Sequence, residues 1–143
     1  MLAAERLHVS LQHVGDYVGL PDAVVDQASR IAATVCRPAF TVAFNSVTSF
    51  RGRPGNQPFV LRGDDGVIGL TMLQQALGEV MEKAGLARAA AHYAPHMTLM
   101  YGDRFVAEQS FEAEVKWSVR EFVLVHSLLG RSCYRSMRRF PLG

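Results

Sequence analysis

Two segments of the chain echo one another and restrict what it can fold into. Residues 8–16 read His-Val-Ser-Leu-Gln-His-Val-Gly-Asp, and residues 96–103 read His-Met-Thr-Leu-Met-Tyr-Gly-Asp, 88 positions on. Both run His, apolar, Ser or Thr, Leu, and both close on Gly-Asp. Successive side chains of an extended strand point to opposite faces. His8 and Ser10 therefore share one face, with Leu7, Val9 and Leu11 on the other. In the second copy His96 and Thr98 share a face, backed by Met97 and Leu99. Each copy is expected to be a strand that buries an apolar row and presents an imidazole and a hydroxyl to a cleft. A pseudo-two-fold axis relating the two would gather two imidazoles and two hydroxyls around one point.

The remaining pattern alternates helices and strands. Residues 6–12 alternate apolar and polar, predicting a strand with one buried face. Gly15 and Gly19 mark a turn, and Pro21 suits a first helical position. Val24, Val25, Ala28, Ile31, Ala32 and Val35 fall at helical spacing up to Cys36, with Pro38 as the stop. Residues 40–50 are rich in β-branched and aromatic side chains and predict a strand. A Gly/Pro loop follows over 51–58, then a short strand at 59–62. Leu70, Leu73, Leu77, Val80 and Met81 set out an amphipathic helix over 69–84, ended near Gly85. Strands are expected at 96–101, once or twice within 113–128, and within 132–140. The mixture, with mostly antiparallel strands, predicts an α+β fold.

Composition narrows the class. A chain of 143 residues, 49% hydrophobic and 20% charged, suits one globular domain over 1–143. Such a domain buries a core without disulfides. Cys36 and Cys133 form no CxxC pair and fit free thiols in a reducing, cytoplasmic setting. No apolar run approaches the ~20 residues of a membrane span. Charged residues arrive at once after Met1, unlike a secretion signal. The net charge of +2 dictates no partner, although thirteen of the fifteen basic residues are Arg. Arg presents a planar fork that matches phosphate oxygens, but codon bias in a high-GC genome gives the same excess.

Two imidazoles and two hydroxyls suit phosphodiester chemistry. Histidine ordinarily titrates near 6.5, so one copy can be neutral and the other protonated near pH 7. The neutral one takes a proton from the attacking hydroxyl, and the protonated one gives a proton to the leaving oxygen. The hydroxyls donate to the non-bridging oxygens, where charge builds. The scheme needs neither metal nor cofactor. A lone strand histidine is more often structural, and only the matched pair tilts the reading toward function.

These residues resemble the two-histidine (2H) phosphoesterase superfamily, and within it the bacterial 2′-5′ RNA ligase-like proteins. The hallmark, two His-x-Thr/Ser motifs, stands here as His8-Val9-Ser10-Leu11 and His96-Met97-Thr98-Leu99. Also similar are Ala4-Glu5-Arg6-Leu7, Pro95, the helix end Ala84-Gly85-Leu86, and the tail from Ser127-Leu128-Leu129-Gly130 through Tyr134 to Phe140-Pro141-Leu142. The resemblance implies two pseudo-symmetric lobes with antiparallel sheets around a central cleft. It implies opening of a 2′,3′-cyclic phosphate to a 2′-phosphomonoester, and ATP-independent, reversible 2′-5′ joining of RNA. His8 and His96 would be the acid and base, and Ser10, Thr98, Tyr101, Arg104 and Tyr134 would contact substrate, either RNA or a small cyclic nucleotide.

Three departures from the pattern matter. The strand and helix that usually precede the first motif are absent from the seven residues before His8. An incomplete sheet edge invites association, so a homodimer is expected there. Tyr101 stands where an Arg often follows the second motif, leaving Arg104, Arg51 or Arg53 to replace a phosphate contact. His13 stands where an aromatic or apolar residue is usual.

Other candidates have plainer readings. His13 is expected as an exposed turn residue. His92 and His96 are four apart, but Pro95 argues against the helix a metal pair needs. His126 is expected to be structural, and Phe50 either to stack on a base or, the plainer reading, to pack in the core. Tyr134 suits stacking on a base. Arg135, Arg138 and Arg139 suit either RNA phosphate or a solvated face. No glycine pattern marks Ser10 as a nucleophile. The competing function is a binding module that holds an RNA or nucleotide phosphate without turnover on a shortened scaffold.

Overall fold

A computed structural model describes residues 1–88, 90–128 and 133–143, with the side chain of Cys133 left out of the description. The elements are α1 (Asp22–Ala32), β1 (Phe40–Ser49), β2 (Gln57–Arg62), α2 (Ile68–Lys83), β3 (His96–Gly102), β4 (Gln109–Val119), β5 (Glu121–Leu128) and β6 (Cys133–Pro141). Four strands form an antiparallel sheet in the order β3-β2-β1-β4, and β5 pairs with β6 in a second sheet. The fold is α+β, in two lobes.

α1 begins after Pro21, which caps the helix from outside rather than forming its first residue. Asp22 in the first turn and Arg30 in the last complement the helix dipole. The helix stops at Ala32, four residues short of Cys36. Thr34 gives the reason: its hydroxyl donates to the Ile31 carbonyl at 2.6 Å, taking an acceptor that further helix would have used. α2 ends as its Ala-Gly-Leu sequence predicts. Gly85 takes φ of +72°. The Gly85 amide donates to the Glu82 carbonyl and the Leu86 amide to that of Met81, both at 3.0 Å. This pair of bonds is the glycine-terminated helix end.

α2 joins the two lobes. Its Leu73, Leu77 and Met81 pack with Ala28 and Ala32 of α1 and with Phe122, Phe140 and Leu142 of the β5–β6 lobe. Leu70, one turn earlier, faces the other core with Val42, Phe44 and Leu61 of the four-stranded sheet. Gly69 allows the close approach of α2 to β1, since a Cβ there would lie 2.4 Å from the Phe40 ring. Phe44 and Trp117 meet across β1 and β4 with ring centroids 5.4 Å apart.

The predicted strand over 6–12 is the main correction. A 3-10 turn occupies Ala4–Arg6, and the following extended segment pairs only through an isolated antiparallel bridge, Val9 with Met97. Further ladder pairing is replaced by tethers. The Leu2 amide donates to the Leu99 carbonyl at 2.8 Å, and the Tyr93 hydroxyl donates to the Ser10 carbonyl at 2.7 Å. The other strands form within a few residues of their predicted positions, and 113–128 holds the end of β4 and all of β5. The Leu129-Gly130 part of the tail lies outside the described residues.

Candidate active site

The strand registers decide which side chains share a face. β2 and β3 pair Arg62 with His96, Leu61 with Met97 and Val60 with Thr98. β1 continues the rows, with Ser46 opposite Arg62, Val47 opposite Leu61 and Thr48 opposite Val60. Directly opposed residues of an antiparallel pair lie on one face. The Val9–Met97 bridge brings in the first motif. Continued one residue either way, it sets His8 opposite Thr98 and Ser10 opposite His96. One face then carries Ser10, His96, Arg62 and Ser46 in one row, and His8, Thr98, Val60 and Thr48 in the next. Val9, Met97, Leu61 and Val47 form the apolar row behind. The four motif residues thus meet on one face, and the local pseudo-two-fold passes through the bridge.

The two histidines are held in the same way. His8 Nδ1 lies 2.7 Å from the Arg6 carbonyl oxygen, and His96 Nδ1 lies 2.8 Å from that of Ala94. In each case the acceptor is two residues back. A carbonyl oxygen only accepts, so Nδ1 carries the proton in both rings. Each Nε2 is left without a hydrogen bond among the described residues. Each imidazole also rests against an aromatic ring. Tyr134 lies beside His8 and Phe50 beside His96, both with centroids 4.8 Å apart. Such a contact contributes ~0.5–1.5 kcal/mol beyond area burial and restricts the ring's rotation.

Three residues near the motifs take places the sequence does not single out. Phe50, for which core packing is the plainer expectation beside base stacking, lies half-buried at the end of β1, edge-on to His96. The sequence marks Arg62 only as a strand residue, and the register sets it opposite His96, with its guanidinium 5.6 Å from the Phe50 centroid. The alternation of Phe59-Val60-Leu61-Arg62 put Arg62 on a polar face, but nothing in the sequence named the neighbouring strand. Tyr93, whose hydroxyl holds the first-motif backbone, has its phenol pushed up to about 12 by burial.

The remaining candidates divide. Tyr101 joins the histidine face through a bulge. Phe59 pairs with Met100 while Val60 pairs with Thr98, so Leu99 is an extra residue and the alternation shifts by one beyond it. Tyr101 then pairs with Pro58 on the face of His96 and Thr98. Arg104 lies past the end of β3 and lines a hollow of about 250 Å³ with Ser49, Gln57, Phe59 and Met100. Those residues belong to the opposite face, so the structure does not bring Arg104 to the histidines. Arg51 and Arg53 are exposed on the β1–β2 loop. His13 is exposed and lies 3.4 Å from Asp16, His92 is exposed on the loop before β3, and His126 is half-buried opposite Arg135. Arg139 pairs with Glu121, which leaves Arg135 and Arg138 exposed on β6 without an ion pair among the described residues.

The model of the 2′-5′ RNA ligase superfamily matches residues 1–131. The chain belongs to that superfamily. Solved structures share its fold. A phosphoesterase superposes with a TM-score of 0.79 at 23% identity, covering 99% of this chain and 80% of that one. LigT of E. coli, complexed with NADP+, gives 0.78 at 23% identity, covering 99% and 78%. TT0787 of Thermus thermophilus gives 0.76 at 19% identity, covering 98% and 80%. No curated protein matches the chain in sequence. Among the described residues no helix is long and apolar enough to cross a membrane.

Proposed function

We propose that this superfamily member opens 2′,3′-cyclic phosphates on RNA ends or small nucleotides, without a metal, by proton transfer between His8 and His96. The observation that carries the reading is the matched anchoring of the imidazoles. Both Nδ1–H groups are spent on backbone carbonyls, so both Nε2 atoms are free above a shared face with Ser10 and Thr98. In the proposed step a neutral histidine takes a proton from water at Nε2 as the water oxygen bonds to phosphorus. The bond from phosphorus to the 3′-oxygen breaks, and the protonated histidine gives its proton to that oxygen. A 2′-phosphomonoester leaves, and proton exchange with solvent restores the pair. Ser10 and Thr98 donate to the non-bridging oxygens, and Tyr101 and Tyr134 border the same face. With an RNA 5′-hydroxyl in place of water, the same transfers join the ends through a 2′-5′ linkage.

Support for a nucleotide ligand comes from the fold neighbour LigT of E. coli, whose solved complexes include 3′-AMP, ATP and phosphate. The reading places the protein in the reducing cytoplasm. It also retains the homodimer, since the outer edges of the β5–β6 pair have no strand partner among the described residues. A monomer mass by light scattering at micromolar concentration would remove the dimer and leave the chemistry standing.

The deciding experiment is hydrolysis of a short RNA ending in a 2′,3′-cyclic phosphate, in EDTA, with the phosphomonoester product identified. The expected result is turnover to the 2′-phosphate, lost in His8→Ala and in His96→Ala. A folded chain that binds the RNA end without turnover would establish the binding module instead.

A further inference from the structure

We propose that Arg62 is the anion-binding residue of this face, with its guanidinium held ready for a phosphate oxygen by stacking on Phe50. The inference deepens the reading above and rests on that face being a phosphate site. Four observations carry it. Arg62 and His96 are opposed in the β2–β3 register, so their side chains leave the sheet on the same side. Arg62, Phe50 and His96 form a ladder, the guanidinium 5.6 Å from the Phe50 centroid and the Phe50 and His96 centroids 4.8 Å apart. Arg62 is half-buried, yet among the described residues its guanidinium makes neither an ion pair nor a hydrogen bond. Its other neighbour in the row is Ser46, whose hydroxyl donates to Glu108 at 3.5 Å, and no ion pair joins Glu108 to Arg62 among the described residues.

Chemistry turns that placement into a role. Partly withdrawing a guanidinium from water without a counter-anion is costly. Contact with an aromatic ring offsets only part of that cost, ~0.5–2 kcal/mol. A ring contact also leaves N–H donors at the rim of the guanidinium free, and these match two oxygens of one phosphate. The row Ser10, His96, Arg62 then offers a hydroxyl, an imidazole and a guanidinium side by side, sufficient for one tetrahedral dianion. Among the described residues His8 has the Tyr134 ring in the corresponding place and no cation stacked against it. The bound phosphate is therefore drawn toward the His96 side.

The test titrates inorganic phosphate into the wild-type chain, Arg62→Met and Arg62→Lys at low salt, following the His96 imidazole resonance by NMR and checking each fold by circular dichroism. Met keeps an apolar stem over Phe50 and removes the charge; Lys keeps the charge and removes the fork. The expected result is saturable binding to wild type, weakened about 10- to 100-fold in Arg62→Met, the worth of a charge-assisted hydrogen bond. Arg62→Lys should fall between. Equal phosphate affinity in wild type and Arg62→Met overturns the inference, as does a wild type that binds no phosphate. Should the Met variant not fold, Arg62→Gln is judged by the same criterion. Turnover of the cyclic phosphate, assayed on the same samples, separates the two proposals. An active wild type with unchanged phosphate binding in Arg62→Met sinks this one alone. An inactive wild type whose phosphate binding is lost in Arg62→Met supports it while the phosphodiesterase fails.

Discussion

The His96 half of the site is built into a four-stranded sheet, whereas the His8 half rests on an irregular segment joined to that sheet by one bridge and the Leu2–Leu99 hydrogen bond. Despite that difference, the two imidazoles are set alike: a carbonyl two residues back at 2.7 or 2.8 Å, and one aromatic ring at 4.8 Å. The orienting partner is a main-chain atom, so it repeats wherever the backbone takes the same course, whatever residue supplies it. Arg6 supplies it on one side and Ala94 on the other. Sheet support and the anchoring of the imidazoles are therefore separable in this molecule. The halves differ in charge, because among the described residues only the His96 side has a cation stacked into it.

Substitutions in matched pairs sharpen the comparison. The largest effect is expected at the histidines. His8→Ala and His96→Ala should each lower kcat by ~10²–10⁴, the range for one general acid or base. The wild-type rate should be bell-shaped in pH, and each variant should lose one limb. A loss confined to one histidine would break the pseudo-symmetry as a statement about function. Next come the hydroxyls: Ser10→Ala and Thr98→Ala should lower kcat by ~10²–10³ each if they stabilise developing charge as oxyanion donors do. Equal values would show that the bridge-held segment positions Ser10 as well as the sheet positions Thr98. Smaller effects are expected at the rings. Tyr134→Leu and Phe50→Leu remove contacts of ~0.5–1.5 kcal/mol, or up to about tenfold in rate. Phe50→Leu should also weaken phosphate binding through Arg62, and Tyr134→Leu should not.

The parts of this site read most directly from sequence were those governed by alternation. His-x-Ser/Thr fixes a shared face in any extended chain, and a single antiparallel bridge suffices to merge the two faces. The helix end at Gly85 was legible because the left-handed residue and the two bonds that follow are local. What the sequence did not reveal depends on contacts distant in the chain. Arg62 becomes a site residue only through its pairing with β3, across the whole of α2. Apolarity makes core packing the plainer expectation for Phe50, whereas its place at the strand end sets it against His96. Tyr101 reaches the histidine face only because Leu99 bulges, and Leu99 carries no mark of that. The strand over 6–12 had the right alternation but lacks ladder partners beyond Met97, and pattern alone does not supply them.

Tyr93 offers the sharpest way to test the weaker half in isolation. Its hydroxyl, donating to the Ser10 carbonyl, is a side-chain tie between the first motif and the loop before β3. Burial raises the phenol from 10.0 to about 12, so the folded chain holds this proton more tightly than the unfolded chain does. Stability from this group is therefore complete below pH 10 and declines as pH rises from 10 toward 12, since there the unfolded chain has released the proton and the folded chain has not. Tyr93→Phe keeps the ring and removes both the hydrogen bond and the titration. Denaturant melts should show a loss of about 0.5–1.5 kcal/mol at neutral pH, and the part of the alkaline decline due to this phenol should vanish. If the tie positions Ser10, kcat should fall several-fold with His8-dependent turnover retained. Unchanged kcat with reduced stability would mean that the backbone contacts to β3 set the first motif without the phenol, and that the two halves are held more alike than their sheet support suggests.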